Sequence, residues 1–146
     1  MPDIRRYQWG VVKGTRFEEP LKEQARGESA SIGWYLAAAK QAEIEGLPEV
    51  ARALRDIAWE DANHAATFVE LTGGVSMNTR DNLAKAYHGE TESNKVKLEF
   101  SRQAREDGLD GTQSVLTEAA QAEQAHARTL KTLLDKHFSH NIHPTY

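Results

Sequence analysis

The chain has 146 residues, a formal net charge of −4 and a pI of about 5.9, and its length fits one domain that can bury a core without cross-links. It contains no cysteine, which excludes disulfides, zinc fingers, thiolate-held iron–sulfur or rubredoxin-type centres and a cysteine nucleophile. The acidic balance argues against nucleic acid as a partner, and neither a run of the ~20 apolar residues of a membrane span nor a secretory h-region in MPDIRRYQWGVVKGT is present, so a cytoplasmic protein is expected.

Residues 1–17 read as an N-terminal arm. Its basic residues Arg5, Arg6, Lys13 and Arg16 alternate with Tyr7, Trp9, Val11, Val12 and Phe17. That mixture suits docking on the body of the protein or on a partner subunit, with apolar surface buried there. From residue 18 the chain reads as helix: alternation is absent, Val, Ile and Thr are sparse, and there are 20 alanines. A first helix is expected over 18–45, ended by Gly46. A second runs over 48–71, with Pro48 in its first turn and Gly73-Gly74 after it. A third, capped by Asn78 or Thr79, covers 79–107, and a fourth covers 110–138, with Gly108 and Gly111 at the break between them. Apolar stripes at helical spacing mark the second helix (Leu47, Val50, Leu54, Ile57, Ala58) and the fourth (Val115, Leu116, Ala119, Leu130, Leu133, Leu134). Residues 139–146 read as a C-terminal tail. Long helices joined by short loops predict antiparallel neighbours and an all-α four-helix bundle.

The chain also repeats itself. With a shift of 62 residues, Gly27-Glu28 falls on Gly89-Glu90, Ser31 on Ser93, Gln41-Ala42 on Gln103-Ala104 and Gly46-Leu47 on Gly108-Leu109. Leu54 then falls on Leu116, Ala58 on Ala120, His64-Ala65 on His126-Ala127, Thr67 on Thr129 and Asp61 on Glu123. A duplicated helical hairpin explains this pattern. Glu28 lies about 27 Å of helix before Gly46, and Asp61 lies about 22 Å after it. The two carboxylates therefore reach similar heights in an antiparallel hairpin. Glu90 and Glu123 repeat the arrangement around Gly108. His64 and His126 each follow the second acid by three residues and share its helix face. Glu60, four residues before His64, shares that face too; the repeat favours Asp61.

Two facing hairpins of this kind bring four carboxylates and two imidazoles together. Buried without a cation, four such acids repel one another and take up protons. Two divalent ions balance four negative charges. A sulfur-free carboxylate and imidazole set suits iron or manganese with open coordination positions. A Glu from each of two helices, plus Glu-x-x-His from the other two, is the ligand pattern of ferritin-like di-iron proteins.

The segments GESASIGWYLAAAKQAEIEGLPEVARALRDIAWEDANHAATF, GETESNKVKLEFSRQAREDGL and EAAQAEQAHARTL resemble the di-iron domain of the rubrerythrins. The resemblance covers about residues 20–138. It implies a ferritin-like bundle built from two duplicated hairpins, with Glu28, Asp61, His64, Glu90, Glu123 and His126 as metal ligands. Glu28 and Glu90 are then terminal ligands, Asp61 and Glu123 bridging ones. Tyr35 falls where the family often has a tyrosine near the irons, which implies a catalytic role. Iron is the expected metal, two ions per site, with manganese or another divalent metal the alternative. The implied activity is reduction of hydrogen peroxide to water.

Three features depart from the family. Asp61 stands in a motif that is usually Glu-x-x-His. Ser93 occupies the position of a further Glu three residues after Glu90. No four-cysteine rubredoxin segment is present, so electrons are expected from a separate, rubredoxin-like donor. Ser93 turns part of the expectation toward a ferroxidase or iron-handling protein that oxidises Fe(II) with oxygen; a metal-free interaction bundle is the remaining reading. The resemblance also implies a homodimer, with Gly73-Gly74 as a hinge that permits exchange of hairpins. Trp34, Trp59 and Trp9 are expected to pack, His88 to lie on a helix surface, and His137, His140 and His143 to sit in a solvated tail.

Overall fold

The computed structural model describes residues 8–139. It contains α1 (Glu18–Ile44), α2 (Pro48–Leu71), α3 (Thr79–Glu106) and α4 (Asp110–Phe138). Each helix begins at the expected residue and ends at or within one residue of the expected end. The fold is the all-α, ferritin-like four-helix class, built from two antiparallel hairpins: α1 packs on α2, and α3 packs on α4. The chain divides after Val75 into two compact units, one hairpin each.

Both hairpins turn by the same device. Gly46 (φ 74°) follows α1 and Gly108 (φ 71°) follows α3. In the first, Gly46 N–H donates to Glu43 O over 3.0 Å and Leu47 N–H to Ala42 O over 2.8 Å. In the second, Gly108 N–H donates to Arg105 O over 3.1 Å and Leu109 N–H to Ala104 O over 2.8 Å. These paired bonds satisfy the last carbonyls of each helix, and the left-handed residue between them favours glycine. Pro48 then starts α2 with its φ already helical and no N–H to leave unpaired. At the start of α3, Asn78 is the cap rather than Thr79: its side chain accepts from Arg80 N–H over 2.9 Å.

The seam inside each hairpin is made of small residues. In the first unit the buried positions along the helices are Ala25, Ala39, Ala42, Ala51, Ala58 and Ala65, with Leu54 packed against Ala39, Ala42 and Ala51, and Thr72 is buried just after α2. In the second they are Ser101, Ala104, Ala120 and Ala127. Four of these pairs, 39/101, 42/104, 58/120 and 65/127, are related by the 62-residue shift. Side chains without branches let the helix backbones approach closely. Ser101 takes an alanine position and remains satisfied, its hydroxyl lying 2.8 Å from Thr117 Oγ1. This corrects the expectation from the apolar stripes. Leu47, Val50, Ile57 and Val115 are 39–66% exposed, and only Ala58 of the second-helix stripe is fully buried. Trp34 and Trp59 are also exposed rather than packed, and Trp9 is half-buried.

Residues 8–17 form turns that dock on the C-terminal end of α2. Gly10 N–H donates to Glu70 O over 2.9 Å, and Val12 N–H to Leu71 O over 3.3 Å. The end of the Lys13 side chain lies against Gly73, so a Cβ there would come within 2.5 Å of Lys13 Cε. The contact places a cation near the negative end of the α2 dipole. The arm thus docks on the body of the protein, as expected for Lys13 and Val12, while Val11 and Phe17 remain half exposed. Arg5, Arg6 and Tyr7 lie outside the described residues, as do His140 and His143 of the tail. His88 and His137 are exposed on α3 and at the end of α4. No helix among the described residues is long and apolar enough to cross a membrane.

Candidate metal centre

In the first hairpin, α1 carries Glu28 and α2 carries Asp61 and His64. One donor atom from each lies within 4.8 Å of the other two. His64 Nδ1 is 3.9 Å from Glu28 Oε1 and 3.9 Å from Asp61 Oδ1. The two carboxylates are half-buried and the imidazole is exposed. The one-turn spacing of Asp61 and His64 puts both on the face of α2 that meets α1. Asp61, not Glu60, joins the group; Glu60 is exposed. Tyr35 lies two turns beyond Glu28, half-buried, with its ring edge-on to Trp34 at a centroid distance of 5.2 Å.

In the second hairpin, α3 carries Glu90 and α4 carries Glu123 and His126. His126 Nδ1 is 3.3 Å from Glu90 Oε2. Glu123 does not complete a matching group. Its Oε1 accepts from Ser93 Oγ over 2.8 Å and from the Lys97 ammonium. Lys97 Nζ also donates to Ser93 Oγ over 2.7 Å. The Lys97 hydrogen bond, reinforced by that of Ser93, holds the Glu123 carboxyl below the usual carboxylate range against the opposing effect of burial. Glu123 is 15% exposed. Its second oxygen, Oε2, is buried without a hydrogen-bond partner. Asn94 braces the same interface, its side-chain amide donating to Ala120 O over 2.6 Å.

Lys97 was not among the residues that sequence reasoning singled out. The signal was available: the 62-residue shift that pairs Glu28 with Glu90 also pairs Tyr35 with Lys97. Lys97 follows Glu90 by seven residues and Ser93 by four, so all three share one stripe of α3. A search confined to acids and histidines passes over it.

Two observations bear on whether these residues suit divalent metal. Glu28, Asp61 and His64 offer two carboxylates and one imidazole with converging donor atoms, a set that suits iron or manganese. Glu123 Oε2 is a buried carboxylate oxygen with an open valence, a costly arrangement that a cation relieves. Both fit.

Fold and donor set together define an all-α protein with a pattern of carboxylate and imidazole residues repeated on two hairpins, converging in the first. The profile of the rubrerythrin family matches it twice, over residues 19–80 and 81–145, and the chain belongs to the rubrerythrin family as a di-iron protein of that type. An uncharacterized protein of Methanocaldococcus jannaschii is 41% identical over 135 residues, covering 92% of this chain and 96% of the relative. Reverse rubrerythrin-1 of Clostridium acetobutylicum is 36% identical over 132 residues, covering 88% and 73%. Rubrerythrin of Porphyromonas gingivalis is 28% identical over 136 residues, covering 84% and 68%.

Proposed function

We propose that this chain reduces hydrogen peroxide to water, with two iron ions held by Glu28, Asp61, His64, Glu90, Glu123 and His126. The convergence of Glu28, Asp61 and His64 carries this reading, and the matching residues of the second hairpin and the rubrerythrin-family membership support it. Iron bound there supplies electrons and a Lewis acid, and manganese is the alternative metal. Peroxide takes up two electrons and two protons, its O–O bond breaks, and two waters leave. The four carboxylates balance the cationic charge. The exposed edges of His64 and His126 leave the half-sites open to a small substrate. Tyr35, two turns after Glu28 on α1, is in this reading the catalytic hydrogen-bond donor to peroxide. Electrons come from a rubredoxin-like donor, and the active form is a homodimer, with or without exchanged hairpins.

Ser93 favours a second reading, oxidation of Fe(II) with oxygen, because a hydroxyl that donates to Glu123 stands where a further carboxylate ligand is usual. One experiment separates the two. The diferrous protein is mixed with equimolar peroxide and oxygen in a stopped-flow instrument. Much faster oxidation by peroxide is expected; faster oxidation by oxygen overturns the peroxidase reading in favour of the ferroxidase.

A further inference from the structure

The two half-sites carry the same ligand pattern but differ in one cation. At the position where the first hairpin has Tyr35, the second has Lys97. The Lys97 ammonium holds Glu123 Oε1, and Ser93 bridges the pair by donating to Glu123 and accepting from Lys97. Asp61 has no such occupant. Among the described residues no lysine or arginine pairs with it, and His64 Nδ1 lies 3.9 Å from its Oδ1. The difference is visible in the grouping of donor atoms: the first hairpin's acids and imidazole converge, while Glu123 is turned to its lysine.

We propose that Lys97 is a positioning residue that acts as an internal cation on Glu123, so that the Glu90, Glu123 and His126 half-site takes metal after, and more weakly than, the Glu28, Asp61 and His64 half-site. The inference rests on the metal-centre reading above. Charge-assisted hydrogen bonds are roughly twice as strong as neutral ones. A metal ion that uses Glu123 Oε1 must displace the ammonium first and then share the site with its charge. A first ion held by Glu28, Asp61 and His64 meets neither cost until a second ion recruits Glu123. Ser93 steadies the lysine, so the serine that replaces a possible ligand also fixes the competitor. Repulsion between two bound ions weakens any second site; Lys97 decides which half-site is second.

The test is a Zn(II) titration of the metal-stripped full chain, with Zn(II) as a redox-silent probe. Binding is read by calorimetry and by the imidazole NMR signals of His64 and His126. In the wild type the His64 signals move first, and the His126 signals move in a weaker second step. Lys97→Met is expected to tighten the His126 step by about 10- to 100-fold, the factor that follows from removing one competing charge-assisted hydrogen bond. Lys97→Arg keeps a cation and is expected to keep the order. Lys97→Tyr copies the first hairpin and guards against a folding defect peculiar to methionine. Simultaneous movement of both histidines in the wild type, or an unchanged His126 step in Lys97→Met and Lys97→Tyr, overturns the inference while two bound ions leave the metal centre standing. Zinc binding at neither histidine overturns both.

Discussion

Asp61 and Glu60 are neighbours on α2 with opposite surroundings, one facing Glu28 and the other exposed. Asp61→Ala is therefore expected to lower iron stoichiometry from two toward one per chain or less, and Glu60→Ala to leave it unchanged, by metal analysis of protein purified without chelators. A second residue-level expectation concerns charge away from the site. Arg102 and Gln103 hydrogen-bond Glu99 and hold its carboxyl at about 2, against 4.5 without them. A depressed carboxylate contributes stability above 4.5 that is lost as pH falls from 4.5 to about 2. In Arg102→Ala the Glu99 carboxyl is expected to titrate closer to 4.5, as followed by its side-chain carbon NMR shift. A carboxyl that still titrates near 2 in that variant contradicts the assigned cause. At this scale the acids and histidines were legible because their one-turn spacing and their recurrence at 62 residues are sequence properties. Lys97 was legible only as a mismatch in the repeat, opposite Tyr35; what it does there depends on which atom its flexible chain reaches. Trp34 and Trp59 were misjudged for a related reason: large apolar residues suggest burial, yet each hairpin closes on smaller ones.

The helices follow from their punctuation. Gly46, Pro48, Asn78 and Gly108 each satisfy or remove backbone groups that a helix end would otherwise leave unpaired, which is why the boundaries could be read to within a residue. Gly46→Ala and Gly108→Ala are each expected to cost about 1–2 kcal/mol, the price of a left-handed conformation for an L side chain. Beyond the adjacent residues of the chain, no atom lies within 4 Å of a Cβ built at either position, so the loss is conformational, measurable by urea unfolding. A loss near zero contradicts the assigned turn. The seam was less legible. Periodicity marks a stripe of Leu, Val and Ile, whereas the fully buried helix positions of these hairpins are alanine or serine, with Leu54 packed beside them. Ala120 is fully buried. Ala120→Leu is expected to cost about 1–3 kcal/mol by overpacking, whereas Val115→Ala, at a position 66% exposed, is expected to change stability little.

For the molecule as a whole, duplication is the property that the sequence displays most directly. It places a pair of acids, an imidazole and the same turn on both hairpins, with Asp61 answering to Glu123, and the family profile matches each hairpin in turn. The repeat also displays the mismatch of Tyr35 against Lys97; what it does not display is Lys97 and Ser93 turning toward Glu123. Binding of metal to the folded state alone adds stability by mass action, about 2.7 kcal/mol per site at a hundredfold excess over Kd. For a domain of this size that raises Tm by roughly 5–10 °C, and an unchanged Tm on loading contradicts a specific site. The most direct test is an anaerobic titration of the metal-stripped chain with Fe(II), followed by absorption and Mössbauer spectra. Saturation at two irons per chain in carboxylate and imidazole coordination, lost in Glu123→Ala, is expected. A chain that takes up no iron, or one whose Glu123→Ala variant still saturates at two, contradicts the account.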